Sequence, residues 1–290
     1  MATVYAVASA KGGVGKTTTT AAIATILAES GADVVAIDAD IGMANLAGAL
    51  GVTPGETTIH DVLADRAVPL DAVHDGPAGL RVVPGAADLD AYAAADPSGL
   101  KDVVAAFDDA DYVFIDAGAG LSHDSTLPLG LAAETLLIST PEPSALGDTE
   151  KTRQLTERLG GSVAGAAITR VSDAAEDSEI ESEDETESEG QDDTETDDVV
   201  AELLDATVLG RIPEDEAVLL AAEAGAPLPM FAPDSPATRA YRDLAQALTD
   251  TEIDGSGLGV GSAGGATADE TREDERERGE DRPAESDGEE

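Results

Sequence analysis

Along the chain, short apolar runs take turns with stretches whose apolar positions recur every three or four residues. The runs at 4–9 (VYAVAS), 33–38 (DVVAID), 80–85 (LRVVPG), 111–116 (DYVFID), 135–140 (TLLIST), 163–169 (VAGAAIT) and 207–212 (TVLGRI) read as strands. Helices fit between them: the first spans about Lys16 to Ser30 and stops at Gly31, and the last runs from about Ala237 to Leu248. Alternation of this kind predicts βαβ units, hence an α/β fold with a mostly parallel, doubly wound sheet flanked by helices on both faces. The last helix gathers Ala237, Ala240, Tyr241, Leu244, Ala245 and Leu248 on one side, so it is expected to pack on the body. Its polar side is not basic, which speaks against a membrane anchor.

Two segments break the pattern. Residues 172–199 carry fifteen acids and no base, and residues 250–290 carry fifteen acids against four arginines. The first, about 172–198, is expected to be a solvated insertion between a strand and a helix, and 250–290 a disordered tail, leaving one domain over 1–249. A loop that follows a parallel strand emerges at the carboxyl edge, where ligands bind, so the insertion is also a candidate docking or phosphorylation segment.

Composition narrows the function. The net charge of −45 comes from 61 Asp and Glu against 16 Lys and Arg, and the body outside both segments keeps a large acidic excess. Such a surface repels nucleic acid and anionic lipid, and it suits a protein working in high salt. There is no cysteine, which excludes disulfides, thiol catalysis and cysteine-held iron–sulfur or zinc sites. His60, His74 and His123 lack metal-ligand spacing and read as surface or packing residues. With no charged leader and no apolar run long enough to span a bilayer, a cytoplasmic protein is expected.

The candidate chemistry lies in SAKGGVGKTTTT, residues 9–20, which holds two of the chain's four lysines, Lys11 and Lys16. A strand, a glycine-rich turn and a helix start form an anion site, because successive N–H groups and the positive helix end converge. Gly12, Gly13 and Gly15 let the backbone close on phosphate, Lys16 is suited to the β and γ phosphates, and the Thr17 hydroxyl to Mg²⁺. A dinucleotide-binding turn is the competing reading, but Thr18 stands where its third glycine belongs and Lys16 suits a triphosphate better. The strict P-loop pattern fails only at position 10, which is Ala instead of Gly.

That departure, KGGVGKTT, resembles the deviant loop of the MinD/ParA family of P-loop ATPases. The resemblance implies that Gly12, Gly13, Val14, Gly15, Lys16, Thr17 and Thr18 bind the nucleotide's phosphates, and that Lys11 reaches across an ATP-bound homodimer to the neighbour's phosphates. IDADIGMANL, 37–46, resembles the family's first switch, implying that Asp40 orients the attacking water, Asp38 lies near the metal and Asn45 moves with the switch. FIDAGAG, 114–120, resembles the Walker B strand and second switch, with Asp116 serving Mg²⁺ through water and Gly118 and Gly120 in the switch; relatives usually have proline at Gly118. STPEPSALGDT (139–149) and IPEDEAVLLAAEAGAPL (212–228) resemble late family segments. Pro213, Glu214 and Asp215 are expected near the base and ribose, with Thr169 and Arg170 beside them, Thr169 standing where many relatives carry asparagine.

The family reading implies a MinD-like, Mg²⁺-dependent ATP hydrolase, with Lys11, Lys16 and Asp40 as its catalytic residues. It would dimerise on ATP and position a cellular assembly for division, motility or chemosensing, through an activating or cargo protein and at a pole or membrane periphery reached through that partner. A scaffold that binds nucleotide without hydrolysis and a ParA-like partitioning ATPase are the alternatives; the acidic charge opposes the DNA binding that partitioning needs.

Overall fold

A computed structural model of the chain describes residues 1–86, 88–172, 200–249, 251 and 253. The expected insertion at 172–198 and tail at 250–290 lie, but for Ser172, Thr251 and Ile253, outside the described residues. Eight strands form one sheet: β1 (Thr3–Ala8), β2 (Val34–Ala39), β3 (His74–Asp75), β4 (Arg81–Val83), β5 (Tyr112–Ala117), β6 (Glu134–Ser139), β7 (Ser162–Val171) and β8 (Val208–Pro213). Their order is β3-β4-β2-β5-β1-β6-β7-β8, and only the β3–β4 pair is antiparallel. The predicted α/β architecture is therefore the one observed.

Seven of these strands follow the predicted apolar runs, displaced at their ends. β4 stops at Val83 because Pro84 has no N–H to continue a ladder. β7 runs on to Val171 because β8 pairs with it past Thr169 through a register shift. β3 was not expected: two residues are too few to show a period, and only its pairing with β4 defines it.

The helices are α1 (Lys16–Glu29), α2 (Leu46–Leu50), α3 (Ile59–Leu63), α4 (Leu89–Ala94), α5 (Leu100–Ala105), α6 (His123–Leu131), α7 (Pro143–Arg158), α8 (200–204), α9 (Glu216–Ala224), α10 (Leu228–Phe231) and α11 (Pro236–Thr249). Alternate strand residues feed two cores. Tyr5, Val7, Val34, Ala36, Phe114 and Leu136 pack with α1, α2, α9, α10 and α11 on one face, and Val35, Ile37, Val113 and Ile115 pack with α3 and α5 on the other. Burial on both faces is why the strands read as continuous apolar runs. α1 is buried almost all the way round, from Thr19 to Ala28, so it carries no amphipathic stripe and is legible only from its ends. α11 behaves as predicted, burying Ala237, Tyr241, Leu244, Ala245 and Leu248, and the Tyr5 hydroxyl donates to the Leu248 carbonyl at 3.0 Å.

In register, Val7 of β1 and Asp38 of β2 both lie opposite Asp116 of β5. The carboxyl ends of three central strands are thus level, and the glycine-rich loop leaves β1 beside two aspartates. Among the described residues no helix is long and apolar enough to cross a membrane.

Candidate functional site

The glycine-rich loop between β1 and α1 takes its shape from left-handed backbone at Gly13 (φ 76°) and at Gly15 (φ 93°), the residue that precedes α1. A side chain is strained at either position, so the two glycines are needed for the turn itself as well as for open access to the N–H groups. Val14 is buried and anchors the loop, while Gly12 and Gly13 are exposed. Thr17 and Thr18 stand partly buried on the first turn of α1.

Lys16 points into the protein and is 7% exposed. Burial pushes its ammonium below the usual lysine range, while Asp116 and Asp40 pull the other way. Asp116 is fully buried, and its two oxygens accept hydrogen bonds from Thr17 Oγ1 (2.6 Å) and Thr20 Oγ1 (3.2 Å). Thr17 and Thr20 reach the same carboxylate because residues three apart share one side of a helix. The single Thr20 hydroxyl hydrogen is shared between that carboxylate and the Lys16 carbonyl at 3.0 Å; Thr20 is a member of the site that the motif reading missed, although its spacing from Thr17 was visible.

Asp38 lies one strand over. Its carboxylate accepts the N–H groups of Asp40 (3.2 Å), Asn45 (2.9 Å) and Leu46 (3.0 Å), so it closes the loop 40–45 and caps the start of α2. Asn45 is exposed and contributes its backbone, its side chain making no cap bond. Asp40 follows β2 directly, and its Oδ1 accepts the Met43 N–H at 3.0 Å. A Cβ placed on Gly118 would sit 3.4 Å from that same Oδ1 and 3.5 Å from the Ser125 Cβ, so the turn after β5 packs closely against Asp40. Gly120 (φ 97°) donates its N–H to the Ser9 carbonyl at 3.4 Å, which joins the turn after β5 to the glycine-rich loop.

Burial raises Asp38 to about 7 and Asp116 to about 6, with repulsion from Asp116 and Asp40 adding to the first and from Asp40 to the second. A carboxyl group whose folded value lies above its unfolded one holds its proton more tightly when folded, so native stability is lost as pH rises towards the folded value. The nucleotide-free chain is therefore expected to melt at lower temperature at about pH 7 than at about pH 5, by an amount that shrinks in Asp38→Asn. Calorimetry at constant high salt reads this, and equal pH profiles for the two chains would refute it.

Lys11 does not join this cluster. Its side chain is 40% exposed, donates to Ser144 Oγ at 2.7 Å and lies 3.9 Å from an Asp148 oxygen, both on α7. Neither partner stood out in the sequence, because nothing local links residue 11 to residue 144. Around the loop, the buried Thr169 hydroxyl faces two acceptors, the carbonyls of Val14 (2.7 Å) and Ser139 (3.1 Å), and so ties β7 to the loop. Arg170 adopts left-handed backbone (φ 55°) and its guanidinium donates to the Gly13 carbonyl at 2.7 Å.

Pro213 ends β8 opposite Val171, and the exposed Glu214 donates its N–H to the Val171 carbonyl at 2.9 Å. The Asp215 carboxylate is occupied with helix ends, accepting the N–H of Ala217 in α9 (2.9 Å) and of Ala237 in α11 (3.1 Å). Burial works to raise Asp215, but those two amides, the Ser235 hydroxyl and the Arg239 charge together leave it lowered. As arranged here, Thr169 and Asp215 hold elements around the site together.

The donor set suits a magnesium nucleotide. Thr17 and Asp116 offer hard oxygens side by side, loop amides and Lys16 offer cations and N–H donors, and no described cluster of three or more Asp, Glu or His side chains would hold a metal alone. Mg²⁺ characteristically takes one or two protein oxygens and completes its shell with phosphates and water.

The CobQ/CobB/MinD/ParA nucleotide-binding domain family matches residues 5–228. An uncharacterized ATP-binding protein of Methanocaldococcus jannaschii is 34% identical over 249 residues, covering 86% of this chain and 88% of its own. The solved cell division ATPase MinD of Pyrococcus furiosus superposes with a TM-score of 0.76 at 31% identity, covering 86% of this chain and 99% of that one. The septum site-determining protein MinD of Pyrococcus horikoshii, solved with Mg-ADP, gives 0.73 at 31% identity, covering 85% and 95%.

Proposed function

The chain belongs to the CobQ/CobB/MinD/ParA nucleotide-binding family, and on that premise we propose that it is an ATP-driven switch. It dimerises on ATP, hydrolyses it slowly and releases, so that a partner or cargo is held in place only while ATP is bound. One observation carries this reading: the two lysines of a single loop are committed in different directions. Lys16 is buried towards Asp116 and Asp40, whereas Lys11 extends outward to Ser144 and Asp148. An outward lysine beside a phosphate loop is placed to serve a second copy.

In this reading Lys16, the loop N–H groups and the positive end of α1 neutralise the phosphates. Thr17 and Asp116 hold Mg²⁺, which spreads the charge of the transferring phosphoryl group when bound. Asp40, the carboxylate that follows β2 beside Gly118, holds the proton side of the attacking water. Asp38 fixes the backbone on which Asp40 stands. Phosphoryl transfer needs positioning and charge neutralisation more than covalent chemistry, and these groups supply both. The likeness to a cell division ATPase and a septum site-determining protein supports a role in placing a cellular assembly. The strongly acidic chain supports recruitment by a protein partner over direct binding to DNA or anionic lipid.

Light scattering in high salt tests the switch. Wild-type chain is expected to be a monomer with ADP and a dimer with ATP and Mg²⁺, and Lys11→Ala to stay monomeric with its phosphate release about tenfold slower or more. A dimer indifferent to nucleotide, or one that persists in Lys11→Ala, would overturn the assignment of Lys11 to the neighbour's site.

A further inference from the structure

The loop 40–45 is held by two side chains. Asp38 takes the N–H groups of Asp40, Asn45 and Leu46. The second is a side chain with no part in the motifs, His60, which is 0% exposed. Its Nδ1 lies 3.0 Å from the Ala86 amide, which can only donate, so Nδ1 accepts and the ring hydrogen sits on Nε2. That Nε2–H then donates to the carbonyl of buried Ile41 at 2.9 Å. Both nitrogens are used, one on the loop and one on the chain leaving β4.

The mount for this ring is rigid. Thr58 and Asp61 form a capping box at the start of α3, and the Ile59 N–H donates to the Pro84 carbonyl at 2.9 Å, so α3 and residues 84–86 are joined directly. Gly85 completes the contact. A methyl group there would overlap the Ala44 Cβ and come 3.4 Å from His60 Cε1 and 3.6 Å from the Asp38 carboxyl carbon. Only a glycine lets the segment press this closely on the loop.

We propose that His60 and Gly85 are positioning residues for hydrolysis: they seat the loop that carries Asp40. The proposal rests on the reading of Asp40 as the residue that orients water. Neither residue touches the glycine-rich loop, so disturbing them acts on turnover and leaves nucleotide binding in place. In His60→Phe the ring volume stays, but the Ile41 carbonyl and the Ala86 amide lose their buried partner.

Three measurements on the full-length chain test this. For His60→Phe, kcat for ATP is expected to fall about tenfold with KM within about twofold, and His60→Gln, which keeps a donor beside an acceptor, to stay within about threefold of wild type. In the nucleotide-free chain, the amides of Asn45 and Leu46 are expected to exchange with deuterium about tenfold faster in His60→Phe, with α1 amides unchanged. Gly85→Ala is expected to reproduce both effects, and adding Ala44→Gly to reverse them; this pair carries the test should His60→Phe fail to fold. Unchanged exchange at Asn45 and Leu46, or exchange accelerated equally in α1, overturns the proposal. A wild-type chain without ATPase activity would instead refute the switch reading, and the exchange data would still decide the role of His60.

Discussion

Lys16→Ala is expected to abolish ATP binding, with affinity falling at least about a hundredfold, because a hydrogen bond to a charged group is worth roughly 1.5–3 kcal/mol and the ammonium is suited to two phosphates. The effect is large because Lys16 is buried within the electrostatic reach of Asp116 and Asp40. Removing it loses the cation and also leaves two carboxylates facing the incoming polyphosphate without compensation. Titration calorimetry with ATP and Mg²⁺ measures the loss directly. Lys16→Met, which keeps much of the buried stem, is the control for packing, and the same loss is expected there. Retention of binding within about tenfold in both variants would mean that the loop amides alone cradle the nucleotide.

Asp40→Ala is expected to separate binding from turnover. ATP affinity should stay within about threefold, phosphate release should fall by about a hundredfold or more, and the ATP-bound dimer should accumulate. The geometry supplies the reason. Asp40 lies past the end of β2, beside Gly118, and its Oδ1 accepts the Met43 N–H within its own loop. It therefore stands outside the glycine-rich loop, and a water is expected to meet it there. Asp38 is a poor substitute, since its oxygens are taken by three backbone amides. A dimer of Asp40→Ala that turns over ATP at the natural rate would assign water orientation to another group.

These expectations rest on different grounds. That Lys16, Thr17 and Asp116 would gather at one place was readable from KGGVGKTT and FIDAGAG, because a strand, a glycine turn and a helix start in that order leave one place for a phosphate. The side of the helix shared by Thr17 and Thr20 was equally available from spacing. Asp38 was harder. In sequence it resembles a carboxylate near the metal, and its bonds to the start of α2 depend on the return of the chain through residues 45 and 46, which no local pattern shows. Asp215, expected near the nucleotide's base and ribose, likewise holds the starts of α9 and α11, whose amides lie two and twenty-two residues away.

By itself, then, the sequence determined the alternation of strands and helices, the parallel sheet, the phosphate loop and the chain's acidity. Those properties follow from local period, turn chemistry and composition, each of which is written within a few adjacent residues. The tertiary structure decided the rest: the two-residue strand β3, the outward hold of Ser144 and Asp148 on Lys11, and the seat that His60 and Gly85 make for the loop 40–45. Each of these depends on groups brought together from distant parts of the chain by burial. Hydrogen-bond partners for a buried carbonyl or amide are chosen by what the fold places within about 3 Å, and a one-dimensional pattern holds no record of that choice.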